Sequence, residues 1–248
     1  MLITQPDHAA LAGRIAGAWR SDGLPDRPCR PSVLLAAHEH DNGWIEEDAR
    51  PRVDRERGRP YDFIMMPDEI KQAIWPRAVS RLATIDRAAA GLIAQHAVTV
   101  NDRHRGASGW RHFFEELEGL RNELCGWPPG MPPNAEFLAD YGIVFLGDLM
   151  SLIFCNGWTD AVEAGGYRLI LRGAHVEISP DPFGGATLPL EVAARRVRDR
   201  RYRSDADLDE ALNRTEPIWI TGQASGPTGS SAPATGPSSH EPHPDRRR

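Results

Sequence analysis

Histidine and aspartate side chains occupy positions of this sequence where a helix normally buries an apolar residue. Positions 8, 12, 15 and 19 share one face of a predicted helix, an apolar stripe that begins with His8. The stripe at 33, 37, 40 and 44 contains His40, with Asp41 beside it. His96 and Asp148 interrupt two later stripes in the same way. A buried carboxylate or imidazole is costly unless it is paired or bound to a metal. Four helices with this feature therefore indicate that these side chains converge.

A single divalent cation would satisfy the converging groups together. It would neutralise Asp41 and Asp148 and accept lone pairs from the neutral imidazoles of His8 and His40. Two nitrogens and two carboxylates suit Fe, Mn, Zn or Co better than they suit a thiolate-type ion, and they do not choose among the four. The three cysteines lie far apart, with no CxxC pair, so a thiolate zinc site is not expected. The sequence thus predicts a divalent metal ion as cofactor.

Composition excludes several classes of function. The chain has 248 residues, with 29 Lys and Arg against 35 Asp and Glu, for a formal net charge of −6. This balance does not favour a general nucleic-acid binder or an electrostatic membrane anchor. The segment at the amino terminus lacks the pattern of a signal peptide, and no apolar run approaches the ~18 residues of a membrane helix. We expect a cytoplasmic protein with a small-molecule substrate, no nucleic-acid partner and no membrane association; the oligomeric state stays open.

Hydrophobic periodicity predicts a mainly α fold with three parts. Helices are expected over residues 5–20, 32–43, 76–100, 108–124 and 134–155. Alternating residues from 167 to 179 predict a β-hairpin, Ser204 with Asp207 predicts a helix start, and a strand is expected near 217. The division is a helical bundle over 1–157, a small α+β appendage over 158–221 and a disordered tail over 222–248, which is rich in Gly, Pro and Ser.

The ordered histidines and aspartates also carry a family resemblance. A histidine early in the first helix, a His-Asp pair ending the second and a late helical aspartate resemble the HD superfamily of metal-dependent phosphohydrolases. The segment His40-Asp41-Asn42-Gly43-Trp44 resembles more closely a bacterial family of unknown function with an HD-like core. That likeness extends over residues 1 to about 221 and also rests on these segments: Asp7-His8-Ala9, PYDF at 60–63, FLGDLMSL around Asp148 and PDPF at 180–183.

The resemblance implies an HD-like helical bundle in which His8, His40, Asp41 and Asp148 bind the metal. His96 matches the region where binuclear members of the superfamily place extra histidines. The match is partial, because those enzymes usually supply more than one histidine there; His104 is the other candidate. His38, three residues before Asp41, is expected either to orient that carboxylate or to be solvated.

A hydrolase acting on a phosphoester or nucleotide-like small molecule is the function that the resemblance implies. Such a substrate needs positive charge around its phosphate, and Arg103, Arg105 and Lys71 are the candidate substrate contacts. A carboxylate near the His-Asp pair could accept a proton, but the sequence does not rank Glu39, Glu46, Glu47 and Asp48. Two alternatives stay open, an HD-type di-iron oxygenase and a non-catalytic module in which the metal stabilises a ligand-binding or partner-binding fold.

Overall fold

The helices of the amino-terminal part pack through the apolar stripes seen in the sequence. The structure is a computed structural model that describes residues 1–227, and it confirms a mainly α fold. Helix α7 packs against α1, α2 and α5, and α5 also packs against α4 and α6. The helices are α1 (Gln5–Ala18), α2 (Arg30–Glu39), α3 (Ile45–Ala49), α4 (Asp68–Ala83), α5 (Arg87–Val100), α6 (Arg111–Leu124), α7 (Ala135–Asn156) and α8 (Asp205–Asn213).

The helix predicted over 76–100 is wrong, because two helices occupy this region. Helix α4 ends at Ala83 and α5 begins at Arg87. Asp86 causes the break, since its side chain accepts a hydrogen bond from the Ala89 backbone N–H and so caps α5. Ile85 continued the apolar spacing of the stripe, but it lies in the turn and is 73% exposed.

The second helix also begins differently from the prediction. Helix α2 starts at Arg30, two residues before Ser32, with Pro31 in its first turn. The Ser32 hydroxyl does not cap this helix but donates to the Asp86 carboxylate at 2.7 Å. Ser32 thereby ties the start of α2 to the start of α5. The Asn134 cap of α7 is confirmed, because its side chain accepts from the Phe137 N–H.

A five-stranded sheet forms the carboxyl-terminal part. Its strand order is β3-β4-β5-β7-β6, with β5 and β7 parallel and the other pairs antiparallel. The predicted hairpin is confirmed as β4 and β5, and Ser204 caps α8 as expected. Two antiparallel strands of two residues each, β1 and β2, lie between α3 and α4. The strands are β1 (Val53–Asp54), β2 (Arg59–Pro60), β3 (Val162–Ala164), β4 (Tyr167–Arg172), β5 (His175–Ser179), β6 (Leu188–Arg195) and β7 (Pro217–Ser225).

The predicted tail begins too early at residue 222. Strand β7 continues to Ser225, and its last residues make the parallel pairing with β5, from His175 opposite Gln223 to Glu177 opposite Ser225. Ala224 is fully buried. The Gly-rich composition of this region was taken as a sign of disorder. Gly222 instead packs closely against Phe154, where a larger side chain would not fit. The rest of the predicted tail, from 228, lies outside the described residues.

Helices and sheet share one hydrophobic core. Buried residues of α1 and α7, such as Ile15 and Met150, belong to the same cluster as Leu169 of β4 and Val192 of β6. Helix α7 is long and apolar enough to cross a membrane by length and composition, with a mean hydropathy of 1.7. Since 61% of that apolar window is buried inside the protein, it is weak evidence for a membrane span.

A glycine fixes the position of the segment that follows the His-Asp pair. A Cβ atom on Gly43 would lie 2.2 Å from the Ile74 carbonyl oxygen of α4. We expect Gly43→Ala to push this turn away from α4 and to lower the free energy of unfolding by about 1–3 kcal/mol, the usual range for overpacking. Thermal unfolding measures the change.

Gly119→Ala is the matched control for this substitution. Gly119 lies inside α6 with open space where its Cβ would be. Alanine favours a helix over glycine by up to about 1 kcal/mol, so this variant should unfold at the same temperature or higher. Equal stability of the two variants would show that the turn can move away from α4 without cost.

Candidate metal centre

Five polar side chains from four segments meet inside the helical part. His8 comes from α1, His40 caps the end of α2 with Asp41 next in the chain, His96 comes from α5 and Asp148 from α7. All five are buried, with exposed fractions between 0% and 5%. The structure thus brings together the four residues expected to bind the first ion and His96, one of the two candidates for a second.

The Nε2 atoms of His8 and His40 both lie close to the carboxylates of Asp41 and Asp148. His8 Nε2 lies 3.0 Å from Asp41 Oδ2, 3.4 Å from Asp148 Oδ1 and 3.2 Å from His40 Nε2. His40 Nε2 lies 3.4 Å from each of the same two carboxylate oxygens. His8, His40 and Asp41 form one group whose ligand atoms lie within 4.8 Å of one another, and Asp148 Oδ1 lies 3.4 Å from each of the two histidine nitrogens.

The spacing fits a metal ion of the size that nitrogen and carboxylate ligands bind. Ligand atoms at about 2.1 Å from an ion lie about 3.4 Å apart in a tetrahedron and about 3.0 Å apart at right angles. The five distances above cover the same interval, from 3.0 to 3.4 Å. The two histidine nitrogens are therefore spaced from either carboxylate as the ligands of a divalent cation are.

The hydrogen bonds behind the imidazoles leave the Nε2 atoms free to bind the ion. His40 Nδ1 donates to the Ala37 carbonyl oxygen at 2.9 Å. The Ser151 hydroxyl donates to the Asp148 carbonyl oxygen at 2.8 Å, so at 2.5 Å it must accept from His8 Nδ1. With both Nδ1 atoms donating, each neutral imidazole turns the lone pair of Nε2 toward the cluster. Outer hydrogen bonds of this kind orient histidine ligands in metal sites.

The ionised carboxylates of the cluster favour a positive charge beside them. Burial lowers the pKa of His40, but the charges of Asp41 and Asp148 outweigh it and raise this pKa well above the usual range. Burial also acts to raise the pKa of Asp41, yet the neighbouring imidazoles of His40 and His8 hold it well below its ordinary value. The carboxylates thus stay ionised and favour positive charge beside them, which either a proton on His40 or a metal ion provides.

His96 lies on the other side of Asp148. Its Nε2 atom is 3.6 Å from Asp148 Oδ2, whereas His8 Nε2 lies 3.4 Å from the other oxygen, Oδ1. Burial lowers the pKa of His96 to about 4, so its imidazole is neutral. Its Nδ1 lies 3.4 Å from the Tyr141 hydroxyl. His40, His96 and Asp148 offer ligand atoms within 4.8 Å of one another, a second grouping that could hold an ion.

A cavity of about 550 Å³ reaches the centre at His8. Residues 1–5 and residues of β6 and α8 build part of its wall, and Leu2 is bridged to Arg195 of β6. Aromatic side chains of the PYDF segment and of Trp44 line it together with several carboxylates. Its polar and aromatic lining includes Asp7, His8, Trp44, Asp48, Tyr61, Asp62, Phe63, Asn156, Arg195 and Asp209.

The three predicted substrate contacts do not line this cavity. Lys71 is buried and donates from Nζ to the Ile64 carbonyl oxygen at 2.6 Å. Arg103 is exposed and donates to His104. Arg105 is paired with Asp102 and with Glu118 of α6. The role of these three residues in substrate binding stays a prediction.

The two additional histidines also lie outside the cluster. The ring of His104 stacks on Trp110, with 4.2 Å between the ring centroids. The side chain of His38 is 52% exposed, and its Nδ1 contacts Glu39 rather than Asp41. Of the two alternatives for His38, the solvated one agrees with this geometry.

Sequence reasoning missed the residues that support the centre rather than form it. Ser151 and Tyr141 orient imidazoles, and their positions on α7 place them three residues after Asp148 and seven before it. Residues three or seven positions from Asp148 lie on the same side of a helix as Asp148, and this spacing could have identified Ser151 and Tyr141 from the sequence. Asp48 was only one of four unranked carboxylates, and it lines the cavity.

The family model described as "Protein of unknown function (DUF3891)" matches residues 1–199, most of the chain. The chain belongs to the DUF3891 family. The expected membership in a family of unknown function is thus confirmed, and all five polar residues of the centre lie within the DUF3891 segment. No curated protein and no solved structure matches the chain.

Proposed function

We propose that this member of the DUF3891 family is a metal-dependent hydrolase with an HD-like core. The clustering of the His8 and His40 imidazoles with the carboxylates of Asp41 and Asp148, at nitrogen–oxygen distances that suit a divalent ion, carries the proposal. The ion would be Fe, Mn, Zn or Co. When bound, it would lower the pKa of a coordinated water and so supply a nucleophile near neutral pH.

The surrounding residues support catalysis beside the ion. His8 lies both in the cluster and on the cavity wall, so a substrate in the cavity would reach the ion from the side of α1. Ser151 and the Ala37 carbonyl hold two imidazoles in the orientation that binding requires. The aromatic side chains of Tyr61 and Phe63 supply apolar contact for the body of a small molecule.

A phosphoester or nucleotide-like molecule is the substrate class that we propose. The HD likeness supports it, and the bound ion would meet the phosphate charge. Arg195 is the one Lys or Arg side chain among the described residues that line the cavity. Its guanidinium donates to the Leu212 and Thr215 carbonyl oxygens, so it is held at the wall.

Elemental analysis together with a substrate screen tests the proposal. We expect at least one equivalent of Fe, Mn, Zn or Co per chain, and hydrolysis of p-nitrophenyl phosphate or of a nucleotide that stops on chelation and returns on addition of the ion. A chain with no bound metal, active or inactive, would contradict the proposal. Two equivalents of iron with oxygen uptake and no hydrolysis would point instead to an HD-type oxygenase.

A non-catalytic metal is the second candidate, and the burial of the centre favours it. His40 is fully buried, and of the four proposed ligands only His8 lines the cavity. A metal that serves the fold alone would stabilise the protein without turnover. Loss of thermal stability on chelation, with no hydrolysis in the full screen, would support this candidate.

A further inference from the structure

The four carboxylates near the His-Asp pair have different surroundings, which allows them to be ranked. Glu46 is paired with Arg77 and Arg81. Glu47 is paired with Arg52 and Arg77. Glu39 contacts His38, away from the cavity. These three side chains are held by positive or protonatable partners and do not line the cavity that reaches His8.

Asp48 differs from the other three carboxylates in position and in partners. It lies on α3 and lines the cavity together with His8. One of its oxygens accepts from the Gln5 backbone N–H at 2.7 Å, which links it to the first turn of α1. Among the described residues, no lysine, arginine or histidine forms an ion pair with it. Its carboxyl group thus lies on the wall of the cavity that reaches His8, held by the Gln5 N–H and without an ion-pair partner among the described residues.

Burial, together with the negative charges that face it, makes Asp48 a better proton acceptor than an ordinary aspartate. Burial raises the pKa of Asp48 to about 7; the Gln5 N–H opposes this, and the negative charges of Asp41, Asp7 and Glu47 add to it. A general base works best when its pKa lies near the working pH. The lining of the cavity provides this condition.

We propose that Asp48 is the proton acceptor of the reaction at this centre, which rests on the proposed hydrolase function. As the oxygen of a water molecule forms a bond to the phosphorus, a proton of that water moves to an Asp48 carboxylate oxygen. The bond from phosphorus to the leaving oxygen breaks, and its electron pair stays on that oxygen. The leaving oxygen then takes up a proton, and Asp48 returns to its carboxylate form. Water and ester thereby yield phosphate and alcohol.

Asp48→Asn tests this role, with Glu46→Gln as the matched control on the same helix. Both variants should bind Co²⁺ as the unaltered protein does, because neither residue is among the proposed ligands. We expect Asp48→Asn to lower kcat by about 10²–10⁴-fold and to remove the rise of activity between pH 6 and 8. Glu46→Gln should keep both the rate and the pH profile. Unchanged kcat and an unchanged profile in Asp48→Asn would overturn the proposal.

The visible spectrum of bound Co²⁺ tests Asp48 independently of turnover. The spectrum changes when the coordinated water ionises, and a neighbouring negative charge delays that ionisation. We expect Asp48→Asn to move the transition to lower pH by about one unit, while Glu46→Gln leaves it in place. The same midpoint in all three proteins would overturn the role of Asp48 alone. A shifted midpoint without hydrolysis would contradict the hydrolase and, with it, the proton transfer, and failure to bind Co²⁺ would contradict both the metal centre and the role of Asp48.

Discussion

Replacing His40 by alanine should release the metal and destabilise the fold. The His40 imidazole lies 3.4 Å from the nearest oxygens of both Asp41 and Asp148, and it is fully buried. Without it, two carboxylates lose the positive charge that burial requires them to have nearby. Removing one partner from a buried charged pair typically costs about 3–5 kcal/mol. We expect a loss of this size, together with less than one tenth of the metal content of the unaltered protein.

His38→Ala is the control, since it changes the same residue type on the same helix. The His38 side chain is half exposed and contacts only Glu39 among the charged groups. This variant should keep the metal and the unfolding temperature.

Asp148→Ala should behave as His40→Ala does, because Asp148 faces His8, His40 and His96. Full metal content in both His40→Ala and Asp148→Ala would refute the assignment of the site.

A chain that ends at Thr221 should lose much of its stability. The cut removes every residue of β7 that pairs with β5, and it removes the buried Ala224 from the shared core. Strand β6 would also lose part of its antiparallel partner. We expect the free energy of unfolding to fall by about 3–5 kcal/mol. In a chain of this size each kcal/mol changes the unfolding temperature by about 2–4 °C, so we expect that temperature to fall by about 10 °C.

A chain that ends at Pro227 is the matched comparison for this truncation. It keeps all of β7 and omits only residues outside those that the structure describes. The difference in unfolding temperature between the two truncated chains therefore measures the contribution of residues 222–227. If the two chains unfold at the same temperature, the pairing of β5 with β7 contributes little to stability.

Apolar periodicity predicted those helices whose ends carry local signals. Asn134 sets the start of α7 and Ser204 the start of α8, and both caps are visible in the sequence. The break between α4 and α5 escaped this approach because Ile85 fits the spacing of a continuous stripe. A capping aspartate follows at Asp86, but periodicity weighs only the apolar positions. The pairing of β5 with β7 links distant residues, which no local pattern encodes.

The ligand residues were visible in the sequence for a related reason. A polar residue on an apolar stripe stands out, and His8, His40 and Asp148 each interrupt one. Residues that line a cavity do not stand out in this way, because the neighbouring wall residues are a mixture of exposed, half-buried and aromatic side chains. Asp48 therefore could not be separated from Glu46 and Glu47 until the ion pairs of its neighbours were known.

The separation of the cavity-forming residues along the chain has a consequence for synthesis and metal loading. During translation, His8 leaves the ribosome 140 residues before Asp148, so a nascent chain shorter than this holds an incomplete ligand set. Residues 193–217, which close the cavity on one side, emerge later still. Translation would therefore complete the proposed ligand set before the wall, so that an ion would meet a site still open to solvent on that side.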